Sequence, residues 1–258
     1  MLTSTQNTKI KLVRALAGRA KERREAGGFL AEGVRLVEEA LKTGWPFQFV
    51  LYSDELSERG VKLLRKIQDE RIETIEVKGD VLQSASDTET SQGLLAVLKD
   101  HQVDARDEPD FVLILDSIRD PGNLGTLLRS AAAAGVQTVF LPPETTDAFA
   151  PKVVRAGMGA HFRLPIRVTD WERIGLIMDS LDMQVYLAEA RGPSCWQMDL
   201  RQPLALIIGG EAQGATVEAR KLAKGRISIP MPGRAESLNA AVAGSVLMFE
   251  VVRQRGTR

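Results

Sequence analysis

Apolar and polar positions follow two different patterns in the two halves of the chain. In the first hundred residues helical and strand periods alternate. Apolar residues at helical spacing predict an amphipathic, basic helix from Ile10 to Arg24, then helices from Gly33 to Lys42 and from Asp54 to Glu70. Short β-rich runs predict strands from Phe47 to Tyr52, Thr74 to Val77 and Gly93 to Lys99. From Phe111 onward the strand candidates become almost continuously apolar: FVLILDS, TVFL, QVYLAEA, LALIIGG and ISIPM, with helices between them. Strands apolar on both faces are what a parallel sheet covered by helices requires. Between the two patterns lies the polar stretch His101 to Asp110, which carries four Asp or Glu in its last seven residues. The chain is therefore expected to be an α/β protein, with residues 1–100 and 111–258 as domains and 101–110 as linker.

Composition narrows the class. The single cysteine, Cys195, excludes a disulfide framework and a thiolate metal cluster, and fits a reducing cytoplasm. No apolar run approaches the roughly 20 residues of a membrane span, and the N-terminus lacks a signal-peptide core. Net charge is zero, yet the ends are basic. Residues 1–35 hold eight Lys or Arg against three Glu, and residues 219–258 hold eight against two. Basic ends around an acidic body permit phosphate-backbone binding, and are equally what solvated helix faces look like.

Three strand–glycine–helix junctions carry the candidate chemistry. The first, DSIRDPGNLGTLLRS, runs from Asp116 to Ser130 and enters a helix near Asn123. Arg129 lies four residues beyond Gly125, on the same helical face, where its planar fork of donors suits a phosphate. The second, LALIIGGEAQGAT, has glycines at 209, 210 and 214, a spacing that matches neither G-x-G-x-x-G nor a P-loop. Glu211 follows its glycines, either as a carboxylate facing a crevice or as a helix-start acid favoured by the dipole. At the third junction two prolines and Gly233 lead into an Ala-rich helix with Ser237 and Asn239 at its start. Such helix starts present unpaired N–H groups to a ligand, and Ser237 also suits a plain N-cap. With only His101 and His161 present, a Ser-His-Asp hydrolase or a histidine-rich metal site is not expected.

Taken together, the three segments resemble the SpoU (TrmH) family of RNA 2′-O-ribose methyltransferases, in the SPOUT superfamily. The first family motif corresponds to Asp120-Pro121-Gly122-Asn123-Leu124-Gly125 with Arg129. The second corresponds to Gly209-Gly210-Glu211 with Gly214, and the third to Ile229-Pro230-Met231, Gly233 and Ser237-Leu238-Asn239. The chain departs from it at Ala212 and Ala215, where glycine and leucine are common, and at Gly210, where asparagine or alanine is frequent. Phe29-Leu30-Ala31-Glu32-Gly33 and Thr90-Ser91-Gln92-Gly93-Leu94 are similar to the substrate-binding domain often fused ahead of it, a ribosomal-protein-like α/β RNA-binding fold.

The resemblance implies a C-terminal domain with a deep trefoil knot, a homodimer, and S-adenosyl-L-methionine as methyl donor held by Gly209, Ile229 and Leu238. It implies that Arg129, Asn123, Glu211, Ser237 and Asn239 serve catalysis, and that no metal takes part. Structured RNA, ribosomal in preference to transfer RNA, would be gripped by Arg14, Arg19, Lys21, Arg23 and Arg24. A non-catalytic RNA-binding protein that keeps the fold is the competing reading, which joint retention of the catalytic set disfavours. A dinucleotide-dependent oxidoreductase fails on the missing glycine fingerprint.

Overall fold

A computed structural model describes residues 1–86, 91–210, 214–233 and 236–256. The chain begins with α1 (Thr8–Ala17), α2 (Ala20–Ala26), β1 (Gly28–Glu32), α3 (Val34–Lys42) and β2 (Phe47–Tyr52). It continues through α4 (Glu58–Asp69), β3 (Thr74–Glu76), α5 (Gly79–Gln83) and β4 (Leu94–Lys99). Next come β5 (Phe111–Asp116), α6 (Pro121–Ala134), β6 (Thr138–Leu141), α7 (Pro151–Gly157), β7 (Ile166–Val168) and α8 (Trp171–Ser180). The last elements are β8 (Gln184–Ala188), β9 (Leu204–Gly209), α9 (Val217–Leu222), β10 (Gly225–Ile227) and α10 (Ala240–Arg255). These segments form two compact units: residues 1–102 with 147–162, and residues 103–146 with 163–258.

The first unit is built on a four-stranded sheet in the order β1-β4-β2-β3. β4 runs antiparallel to both β1 and β2, whereas β2 and β3 are parallel. The single basic helix expected over Ile10 to Arg24 is two helices. Gly18 ends α1, and Arg19 opens α2 with its backbone N–H held by Glu22 Oε2 at 3.2 Å. The apolar stripe of α1, Ile10, Val13 and Leu16, is fully buried against Leu30, Leu51 and Val97 of the sheet. Strand β1 carries no alternation because its residues Gly28 to Ala31 are all buried, so periodicity alone did not reveal it.

Segment 147–162 belongs to this unit, a return that a linear division of the chain does not contain. Phe149 lies 4.9 Å from the Phe29 ring, and Phe162 lies 5.2 Å from Trp45. Arg23 secures the same segment. Its Nη2 stands 2.6 Å and its Nε 2.8 Å from Asp147 Oδ2, and Nη1 donates to the carbonyls of Leu16 and Gly18, both at 2.8 Å. Grouped with the RNA-facing cations on charge alone, Arg23 is in fact only 6% exposed. Its guanidinium is committed inside the fold and is not available to a phosphate.

His161 is buried in this segment too, with Nε2 2.7 Å from the Ala148 carbonyl. Burial pushes its imidazole down to about 4, against the opposing pull of that carbonyl and of Asp147. An unfolded chain binds a proton here below about 6.5, while the folded one stays neutral down to about 4. Stability is therefore lost as pH falls through that window, by up to about 3 kcal/mol from this group. Urea titrations at pH 7 and pH 4.5 are expected to show a smaller pH-dependent loss in His161→Phe than in the wild type. Equal losses in the two proteins would refute the assignment.

The second unit has a six-stranded sheet in the order β10-β8-β9-β5-β6-β7, with every neighbouring pair parallel. Its central strand β5 is buried at all six positions, and β9 at all but Gly209. That is why these two strands read as continuous apolar runs. The short edge strand β7, whose Arg167 and Val168 remain partly exposed, left no such run. The strand expected over ISIPM is displaced to Gly225–Ile227. Beyond it only Ser228 pairs, with Ser194. Pro230 and Pro232 lack the N–H groups a further ladder would need.

From β5 the chain winds outward through β6 and β7, then crosses to the other side through β8, β9 and β10. Adjacent β5 and β9 mark the point where that direction reverses, with Asp116 opposite Gly209 at their carboxyl ends. In open α/β sheets ligands bind in the crevice at such a point.

Candidate active site

All three glycine junctions meet at these strand ends. β5 closes on Asp116, which is fully buried. Its Oδ1 accepts from Ser117 Oγ at 3.1 Å and its Oδ2 from the backbone N–H of Thr216 at 2.7 Å. One carboxylate thus ties the first junction to the second. A charged residue ending the run FVLIL was the available signal for this role.

After Asp116 the chain turns through Ser117 at φ +54°. Thr145 Oγ1 and Thr146 Oγ1 pin the turn by donating to the carbonyls of Leu115 (2.7 Å) and Arg119 (2.6 Å). α6 begins earlier than expected, at Pro121, with Asp120 as its cap: Asp120 Oδ1 accepts from the Asn123 N–H at 2.7 Å. Proline at the first position forfeits only an N–H that the helix leaves unpaired anyway.

The third junction is wired to the first through side chains. Asn239 Oδ1 accepts from the N–H groups of Ala241 (2.9 Å) and Val242 (3.2 Å), which makes Asn239 the cap of α10. Its Nδ2 donates to Asn123 Oδ1 at 3.0 Å. Ser237 stands two residues before this cap, on the wall of a cavity. Helices α6 and α10 approach closely at Gly244, where an added Cβ would come within 2.4 Å of Leu127 Cδ2.

At the second junction Gly210 bridges to Gly214, which adopts φ +66°. Thr216 caps the short α9 by accepting from Ala219 at 3.2 Å. Glu211 lies outside the described residues. Gly210 is pressed against the first junction, since a Cβ there would sit 2.4 Å from the Ser117 carbonyl oxygen. That neighbour is backbone and cannot move aside cheaply. Gly210→Ala is expected to destabilise the protein by about 1–3 kcal/mol and to weaken ligand binding in the adjoining cavity. Thermal denaturation and calorimetry with S-adenosylmethionine would measure the two effects, and wild-type values in both would refute the constraint.

Two cavities meet at Gly210, Gly214 and Ala215. The larger, about 750 Å³, is walled by Gly209, Gly210, Ile229, Ser237, Leu238 and Leu247 among others. Its volume falls within the roughly 300–1,000 Å³ common for small-molecule sites. Ile229 and Leu238, which read as core positions in sequence, are partly exposed here and face this space. The smaller, about 460 Å³, is bounded by Ser117, Arg119, Asp120, Asn123 and Thr216, and shares Gly210, Gly214, Ala215 and Ala240 with the first.

Arg129 lines neither cavity. It projects from the exposed face of α6 that also holds Gly122 and Thr126, and no hydrogen-bond or ion-pair partner is found for it among the described residues. Gly125, expected on the same helical face as Arg129, is buried. Of the basic N-terminal residues, Arg14, Arg19, Lys21 and Arg24 are exposed. Arg14 donates to Ser84 Oγ at 2.9 Å, and Lys21 stands 3.7 Å from Glu25. Among the described residues there is no cluster of three or more His, Cys, Asp or Glu able to hold a metal, and no helix is long and apolar enough to cross a membrane.

A doubly wound parallel sheet with a glycine-lined crevice at its switch point defines a small-molecule-binding α/β enzyme class. Comparison with known proteins specifies the family. Residues 110–249 match the model of the SpoU rRNA Methylase family, and residues 7–96 match the MRM3-like substrate binding domain. The 23S rRNA (uridine(2479)-2'-O)-methyltransferase of Streptomyces viridochromogenes is 32% identical, over 98% of this chain and 92% of that protein. The 23S rRNA (guanosine(2553)-2'-O)-methyltransferase RlmP of Bacillus subtilis (strain 168) is 33% identical, over 97% and 98%. The crystal structure of the SpoU methyltransferase AviRb from Streptomyces viridochromogenes, in complex with the cofactor AdoMet, superposes with a TM-score of 0.87 at 32% identity, covering 98% of this chain and 99% of that one. The chain belongs to the SpoU rRNA methylase family.

Proposed function

We propose that the protein is an S-adenosylmethionine-dependent 2′-O-ribose methyltransferase acting on ribosomal RNA. The observation that carries this reading is the convergence of all three family segments on one crevice, joined by the Asp116–Thr216 and Asn123–Asn239 hydrogen bonds. The larger cavity fits the cofactor on chemical grounds. Its glycine and alanine walls bring main-chain N–H and C=O groups to the surface, which read adenine edges without charged side chains. Its apolar side chains, Ile229 and Leu238 among them, suit the adenine base. Gly209, Ile229 and Leu238 would hold it.

S-adenosylmethionine, when bound, supplies the electrophilic methyl group. The chain's own task is to place a ribose 2′-hydroxyl in line with that group and to ease loss of its proton. Alignment alone supplies several kcal/mol of such a barrier. Arg129 grips the phosphate beside the target ribose and polarises the hydroxyl, with phosphate or water taking the proton. A guanidinium is too basic to take it. Asn123 and Asn239 hold α6 and α10 in register at the site, while Ser237 and Glu211 shape the ribose side.

Arg129 faces solvent, away from both cavities, so a homodimer is part of this reading. Val242, Val246 and Phe249 form a partly exposed apolar stripe along α10, at 50%, 38% and 48% exposure. Their i, i+4, i+7 spacing is that of a packing face. A second copy covering that stripe would lie on the helix that starts at the cavity wall. With the same reading go a trefoil knot in the C-terminal segment and a cytoplasmic location. On the first unit, Arg14, Arg19, Lys21 and Arg24 would hold structured RNA by its phosphates, which positions the RNA without reading its sequence.

The test is methyl transfer from labelled S-adenosylmethionine to ribosomal and transfer RNA, with the products mapped for 2′-O-methylation. Ribosomal RNA should carry the label at a single ribose. Label on transfer RNA alone would move the substrate, and no transfer to either RNA would overturn the reading.

A further inference from the structure

One charged cluster on the wall of the larger cavity has no part in the scheme above. Glu189 follows β8, with its backbone N–H fixed to the Ile227 carbonyl at 3.0 Å. Its carboxylate is bracketed by two guanidinium groups. Arg220 of α9 donates through Nη1 to Oε1, and Arg226 of β10 places Nε 3.2 Å from Oε2. All three side chains line the cavity that also contains Gly209 and Leu238.

A staple between three elements would account for the pairing but not for its surroundings. Each guanidinium carries five donors, and among the described residues each is paired only with Glu189. The arginines remain 46% and 58% exposed, so the pairs themselves contribute little stability. Arg220 Nη2 is directed at the glycine wall, 3.8 Å from where a Gly214 Cβ would stand. The rest of the lining is mostly apolar or small, with Arg191, Ser228, Ser237 and Asn239 as its other polar members, whereas this part sets a carboxylate and two guanidinium groups side by side. An α-amino acid presents the complementary pair. Its carboxylate suits the free guanidinium donors and its ammonium suits the Glu189 oxygens.

We propose that Glu189, Arg220 and Arg226 form the subsite that receives the amino-acid tail of the cofactor. The proposal rests on the methyltransferase reading. It makes these three residues, rather than the glycine wall, the part of the pocket that distinguishes the intact cofactor from tailless adenosyl thioethers.

Calorimetry with two neutral thioethers tests it: S-adenosylhomocysteine, which has the tail, and 5′-methylthioadenosine, which does not. Wild-type protein should bind the first at least about tenfold more tightly, as expected for charged hydrogen bonds. In Arg226→Met and Arg220→Met the preference should shrink by about fivefold or more, with methylthioadenosine affinity within about twofold of wild type. Glu189→Gln should act in the same direction. Retained methylthioadenosine binding also shows that a variant is folded. Parallel weakening of both ligands, or no change in either, would make the cluster a staple and overturn the subsite. Equal wild-type affinities would also overturn the subsite alone, whereas no binding of either ligand by the wild type would overturn the methyltransferase reading with it.

Discussion

Arg129→Ala is expected to lower methyl transfer to RNA by about 10²–10³-fold while leaving S-adenosylmethionine affinity within about twofold of wild type. The size follows from the role proposed for Arg129, since removing one donor that acts on a reacting centre typically costs that much in turnover. The split follows from position, because Arg129 lines neither cavity and sits on the solvent face of α6. Its removal leaves no buried partner unpaired, so stability should change by less than about 0.5 kcal/mol. Arg129→Lys separates charge from geometry. Lysine keeps the charge but loses the planar fork, so an intermediate loss is expected. Single-turnover transfer and cofactor calorimetry on the same preparations provide the measurement. Turnover within about threefold of wild type in the alanine variant would remove Arg129 from the reaction.

Arg23→Met is expected to cost about 3 kcal/mol of stability and to leave RNA affinity nearly unchanged. Breaking a buried ion pair by removing one partner is expensive because the other charge and its neighbours lose their compensation. Here Asp147 loses its partner, and the Leu16 and Gly18 carbonyls each lose a donor. Arg24→Glu, one residue along, should behave in the opposite way. Arg24 is exposed and has no partner among the described residues, so its reversal should leave stability within about 0.5 kcal/mol. RNA affinity should weaken several-fold, and less so at high salt. Urea unfolding and RNA titration at two salt concentrations distinguish the neighbours. If both variants lose RNA affinity equally, the distinction between an internal and an RNA-facing arginine fails.

Those two adjacent arginines show where the sequence was legible and where it was not. β5 and β9 stood out because a strand buried on both faces must be apolar throughout, and the junction glycines because close backbone approach excludes a side chain. The family resemblance rested on these same residues. Arg23 and Arg24 are identical in type, and only the tertiary path of segment 147–162 gives the buried one a partly buried carboxylate partner. Asp116 announced itself by breaking an apolar run. Glu189, Arg220 and Arg226 did not, because 37 residues and three elements separate them along the chain and their meeting depends on β10 pairing with β8. Ser237 looked like the helix cap because serine caps well. The cap fell to Asn239, whose longer amide caps the helix and still reaches Asn123.

The passage of residues 147–162 through the first unit also sets an order on synthesis. Phe29, Trp45 and Arg23 wait for Phe149, Phe162 and Asp147, about 45–60 residues beyond the end of the unit's first segment at residue 102. At translation rates of roughly 5–20 residues per second, the nascent first unit spends about 2–12 seconds with that apolar face uncovered. The strands β5 and β6 leave the ribosome during the same interval. The chain thus matures as interleaved halves, and its aromatic patch is an open surface before it becomes a core.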